Sequence, residues 1–155
     1  MSGKKLGEIL AAIGVIASMI FVGLEIRQNT VAVQGATLQA ISDSYTGFIH
    51  ANSLDSSQRE IERMVFSGAL RDDLTPDQHM QMLTSLIAWI GLLENTFVQH
   101  RLGLVDEAVF DAYGWNRNIH RTPYFEEWWD SYAKAWVSSD FREFFESRVQ
   151  IGTDP

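Results

Sequence analysis

The stretch ILAAIGVIASMIFVGL, Ile9 to Leu24, holds sixteen residues of which Ser18 alone is polar, and Glu8 and Glu25 bound it. Extended to its flanks, Leu6 to Ile26, it spans 21 residues. As a helix that is about 31 Å, close to the roughly 30 Å hydrocarbon core of a bilayer. Nine strongly apolar side chains favour insertion by roughly 4 kcal/mol, and both glutamates fall where they reach water. The run therefore predicts a membrane span over residues 1–27. The competing possibility is the core helix of a soluble bundle, since sixteen residues lies between the roughly 10 to 14 of that case and the roughly 18 or more of a clear span. A secretory signal is a third, since Lys4 and Lys5 precede the run, but no small-x-small cleavage pattern follows it.

Lys4 and Lys5 on one side, against Arg27 on the other, favour an amino terminus in the cytoplasm and a body outside the inner membrane. Gly7, Ala11, Gly14 and Ser18 recur at steps of four, three and four, which places small residues along one helix face. Such a stripe lets a second backbone approach closely, so self-association through it is expected. Arg27-Gln28-Asn29-Thr30 follows the apolar run as a polar block at headgroup depth. There Arg27 marks the boundary or meets lipid phosphate.

With 155 residues the chain supports one folding unit with a proper core. It has no cysteine, which excludes disulfides and thiolate chemistry. Residues 28–155 carry nine Lys/Arg and eighteen Asp/Glu, a net of −9 that repels phosphate backbones and argues against nucleic-acid binding.

The rest is an all-α pattern without a useful run of strand alternation. Val31, Leu38, Ile41, Tyr45 and Phe48 continue the first helix to about His50, making one rod of roughly 45 residues. A polar break over Asn52–Ser57 precedes a short helix with Ile61, Met64 and Val65, ended by Gly68. Thr75-Pro76-Asp77-Gln78 is a capping box with Pro at the first helical position, and it opens a helix to about Arg101. The apolar centre of that helix, Leu86 to Leu93, predicts an element surrounded by others. Gly103 ends it, and Asp106 caps a fourth helix through Tyr113. Pro123 opens a fifth in which Tyr124, Phe125, Trp128, Trp129, Tyr132 and Trp136 are spaced for core packing, the alternative being an aromatic belt on the membrane surface. Ser138-Ser139-Asp140 caps a last one. A bundle over 28–151 and a disordered tail over 152–155 complete the expected organisation.

No Glu-x-x-His pair, His-Glu-x-x-His, phosphate loop or nucleophile elbow occurs, so no catalytic, cofactor-binding or metal-binding residue is assigned. Glu94 shares a helix stripe with Leu83, Leu86, Ile87, Ile90 and Phe97, and a carboxylate there needs a partner. Arg27, Arg101 and Arg117 are the candidates for an ion pair, and Asn95 adjoins it as a further polar candidate. In the soluble alternative, an enzyme or small-ligand binder, Glu94 with His100 or His79 lines a pocket.

Gly7-Glu8-Ile9, the block Val22-Gly23-Leu24-Glu25-Ile26-Arg27-Gln28-Asn29-Thr30, and Glu94-Asn95-Thr96-Phe97 followed by Gln99, Arg101 and Leu102-Gly103-Leu104-Val105-Asp106 carry a resemblance. In these residues the chain resembles a widespread group of small uncharacterised bacterial proteins with an amino-terminal hydrophobic helix. The resemblance covers most of the chain in order and spacing. It implies a bacterial origin and a single-span architecture, and it transfers no catalytic residue. Type IV pilins also carry a glutamate in such a helix, but the carboxy-terminal half here lacks the strand pattern of a pilin. The sequence thus points to a membrane-anchored binding or assembly module, homo-oligomeric or accessory to a larger membrane complex, with lipid as a partner and no cofactor.

Overall fold

The computed structural model describes residues 3–112 and 118–149, with Leu6 described in its backbone alone. Tyr113, Arg117 and the tail expected over 152–155 lie outside the described residues. Six α-helices and three short 3-10 turns make an all-α architecture, with no strand among the described residues.

The first helix, α1, runs unbroken from Gly3 to Leu54, 52 residues or about 78 Å. Gly35 and Gly47 lie inside it without interrupting it. It passes the expected end at His50 because the break is narrower than its polar composition suggests. Asp55 alone leaves the helix, and its carboxylate accepts from the N–H groups of Ser57 at 2.8 Å and Gln58 at 3.1 Å. That cap starts α2, Ser56–Phe66, which ends at Gly68 with φ +97°, a conformation glycine adopts without strain.

Thr75 and Gln78 form the expected reciprocal cap. The Thr75 hydroxyl accepts from Gln78 N–H at 3.3 Å and the Gln78 side chain accepts from Thr75 N–H at 2.9 Å. From there α3 runs Pro76–Arg101 and is closed by Gly103 at φ +73°. Asp106 caps α4, Glu107–Ala112, through Val109 N–H at 2.9 Å. Thr122 caps α5, Pro123–Ser131, and Ser138 caps α6, Ser139–Val149.

The central element is α3. It packs on α1, α2 and α4, and its rings meet those of α5 and α6. Trp89 sets edges against Phe125 at 6.0 Å and Phe145 at 6.2 Å, and Trp129 meets Phe145 at 4.9 Å. Trp129 donates to Glu146 at 3.0 Å, which satisfies its indole N–H. Helices of nine and eleven residues are marginal alone, so α5 and α6 depend on this aromatic packing.

Three expectations are corrected. The centre of α3 is not surrounded: Leu86, Trp89, Ile90 and Leu93 are buried, but Ile87, Ala88 and Gly91 face outward, because the bundle covers one flank only. Of the apolar residues continuing the first helix, Ile41, Tyr45 and Phe48 face the bundle but Val31 and Leu38 stay exposed; Gln34, Thr37 and Asn52 complete the seam with polar ends. Finally, Tyr132 and Trp136 are not core. The chain leaves α5 at Tyr132, with φ −136° and ψ −59°, and a 3-10 turn over Ala133–Ala135 carries it aside, so each ring stays 51% exposed.

Removing the fully buried ring in Phe125→Ala is expected to cost about 3 to 5 kcal/mol. Thr75→Ala removes one reciprocal cap bond and costs about 1 kcal/mol. Denaturant unfolding of the full chain in mild detergent, followed by circular dichroism, reads both.

Candidate functional site

Two features stand apart from the packed core: the bare front of α1 and a cavity behind α3. Residues 3–33 of α1 are exposed wherever their side chains are described, and none of the long apolar window is buried by the chain. The bundle first takes hold at Gln34, whose side chain donates to the Gly103 carbonyl at 2.9 Å. Ile41 is the first α1 side chain to enter the core, at 4% exposure. The bare stretch is thus 31 residues, about 46 Å of helix. As the core-helix alternative requires the opposite, residues 9–24 do not form a core helix within this chain.

Along that stretch Ala11, Gly14 and Ser18, with Val15, Met19 and Val22, line a shallow open groove. The Ser18 hydroxyl donates to the Gly14 carbonyl at 2.9 Å, and Thr30 donates likewise to Ile26. Neither hydroxyl is left without an acceptor. A Cβ added at Gly7 or Gly14 would meet nothing within 4 Å, so nothing within the described chain uses their smallness. Arg27, Gln28 and Asn29 are exposed on the segment between the apolar run and the bundle, and among the described residues they form no ion pair or side-chain hydrogen bond.

Glu94 is half-buried and meets no cation among the described residues. Instead its Oε1 accepts from the backbone N–H of Ser138 at 2.8 Å, directly before α6. The carboxylate therefore serves the amino-terminal end of another helix, where free N–H groups and the helix dipole favour negative charge. Of its expected partners, Arg101 pairs with Asp140, Arg27 sits on the bare helix, and Arg117 lies outside the described residues. Asn95 is exposed and accepts from Gln99 at 3.4 Å. His100 is turned to the Val105 carbonyl at 2.9 Å and stacked on Phe110, away from Glu94's partner.

The cavity holds about 170 Å³. Its wall is Leu83 and Ile87 from α3 with Tyr124 and Trp128 from α5, and Tyr132 and Trp136 complete it from the turn beyond. Arg71, His79 and Glu127 supply its polar lining. Trp128 and Trp136 meet edge to face, 6.1 Å apart at 88°. The Tyr124 hydroxyl lies 2.9 Å from His79 Nδ1. Burial pushes the Tyr124 phenol up to about 12; the charge of Arg71 opposes that rise and that of Glu127 adds to it. Trp128 is 4% exposed and its indole N–H has no acceptor among the described residues. Of the histidines named for a pocket, His79 is at this cavity, while His100 and Glu94 are not. Sequence reasoning missed the cavity itself, because it forms where Tyr132 and Trp136 leave the helical periodicity.

Among the described residues no group of three His, Asp or Glu side chains is placed to hold a metal ion. No protein-family model, curated protein or solved structure matches the chain.

Glu94→Ala is expected to destabilise by about 1 kcal/mol, with Glu94→Gln costing less because it keeps an acceptor oxygen. Thermal unfolding at fixed detergent checks the order. For Tyr124, the raised phenol means that the unfolded chain releases its proton first, from a pKa of about 10. Stability from this group is therefore full below pH 10 and falls as pH rises toward about 12. The unfolding free energy of the wild type should fall relative to that of Tyr124→Phe over that range.

Proposed function

We propose that this is a single-span bacterial inner-membrane protein, with the helical bundle as a binding or assembly module carried on the outer side. The observation that carries this reading is the bare 31-residue front of α1. Soluble monomers rarely expose apolar patches beyond a few hundred Å², and here every large apolar side chain described from Ile9 to Val33 is at least 42% exposed. Lipid is the solvent that such a surface fits. Its backbone is satisfied along the helix and its two hydroxyls bond back to carbonyls, as a span requires.

The dimensions agree. Placing Leu6 to Ile26 in the hydrocarbon leaves Arg27 to Val33, seven residues or about 10 Å, to cross the headgroup layer before the bundle begins at Gln34. Arg27, Gln28 and Asn29 then meet headgroups and water. Lys4 and Lys5 favour an amino terminus in the cytoplasm by the positive-inside rule.

Copies of the chain associate through Gly7, Ala11, Gly14 and Ser18. The support is that the two glycines open a face no part of the described chain occupies, and that a span packs best where small residues let backbones approach. A helix of a larger membrane complex would use the same face.

Carbonate washing of membranes should leave the full-length protein in the pellet; release into the supernatant would overturn the span. Gly14→Leu with Ser18→Leu creates no clash within the chain and should convert oligomers to monomers in mild detergent. An unchanged mass by light scattering would reject the stripe.

A further inference from the structure

We propose that the cavity behind α3 is a binding site for a small zwitterion with an aromatic or bulky apolar body, of the class of the aromatic α-amino acids. Its occupant is argued from shape, lining and charge. An apolar cavity of about 150 Å³ accommodates a benzene ring, and this one holds about 170 Å³. Its wall is Leu83, Ile87, Tyr124 and Trp128, closed by Tyr132 and Trp136, so a ring or branched apolar body is the part that enters.

The charges select the head. Arg71 and Glu127 both line the cavity and are exposed, and neither forms an ion pair or side-chain hydrogen bond among the described residues. Elsewhere in the bundle Arg63, Arg101, Lys134 and Arg148 have a carboxylate partner, whereas Arg59 and Arg142 donate to backbone carbonyls, so it is the pairing of opposite charges at one apolar recess that sets Arg71 and Glu127 apart. One free cation and one free carboxylate beside the same apolar recess match a ligand bearing an acid and an ammonium together. The acid faces the guanidinium, which binds carboxylates through paired N–H groups. The ammonium faces Glu127 and the π-faces of the neighbouring rings, which attract cations.

The fold also leaves two aromatic rings half in water, Trp136 reaching the core only by its edge-to-face contact with Trp128. Tyr132 and Trp136 remain 51% exposed after the chain turns out of α5, and both turn up in the cavity wall. A ligand body lying between them and Ile87 removes apolar surface from water on both sides.

The test uses the full chain in mild detergent and does not depend on whether residues 9–24 cross a bilayer. Titration calorimetry with L-phenylalanine, phenethylamine, 3-phenylpropionate and phenyltrimethylammonium separates the parts of the ligand. Phenylalanine should bind, and each single-charge probe should bind at least about tenfold more weakly. Arg71→Gln should weaken phenylalanine at least about tenfold while leaving phenethylamine unchanged, and Glu127→Gln should do so while sparing 3-phenylpropionate. Ile87→Trp, with unaltered circular dichroism, should abolish binding of all four by filling the recess. No binding of phenylalanine at millimolar concentrations would overturn the proposal. So would phenyltrimethylammonium binding as tightly as phenylalanine, or Arg71→Gln weakening all probes alike.

Discussion

The seam between the last third of α1 and α3 joins two parts of the chain that need different surroundings. Ile41 is inserted into the core, Tyr45 and Phe48 lie half-buried beside it, and the ends are tied by polar contacts, Gln34 to Gly103 and Asn52 to Ser85. Every side chain described from Gly3 to Val33 is exposed, so the bundle buries none of them. The helicity of this stretch must come from whatever surrounds it, since nothing else in the described chain removes its side chains from water. In hydrocarbon the internal N–H to C=O bonds are all the more compelling, because no water competes for them. The seam is thus where packing by the bundle begins within a single continuous helix.

Within the bundle, stability is concentrated in rings rather than in long helices. Trp89, Phe125, Trp129 and Phe145 meet across three helices, two of them short, and their area supplies what helix length does not. Charge contributes differently. The ion pairs Arg63–Glu60, Arg101–Asp140 and Lys134–Asp130 lie in solvent and add little. The carboxylates that matter more serve backbone N–H groups: Asp55 before α2, Asp106 before α4, Glu94 before α6.

That distinction explains what was legible in the sequence. Local signals read true, because they need only neighbours: Thr75 with Gln78, Gly68, Gly103 and Asp106 sit at the element ends their chemistry demands. The apolar run of Ile9 to Leu24 was legible as a helix long and apolar enough to cross a membrane, and the described chain buries none of it. Long-range features were not legible. Glu94 was recognised as a carboxylate in need of a partner, yet its partner is a backbone group 44 residues away, which no side-chain pattern advertises. Of the apolar face expected to continue the first helix, Ile41, Tyr45 and Phe48 meet the bundle while Val31 and Leu38 do not, because the seam ends in polar residues. Tyr132 and Trp136 fit a helical stripe only if α5 continues, and it stops at Ser131. The cavity is a product of that stop, so periodicity could not reveal it.

The absence of any hinge in α1 has a mechanical meaning. A rod of 52 residues with no proline and no interruption transmits roll and tilt from one end to the other. In a pair of copies joined along the small-residue face, the rotational setting of that contact would therefore fix the compass bearing of each bundle. Each recess would then look out in a set direction relative to its twin, its orientation governed by side chains some 50 Å away along the axis.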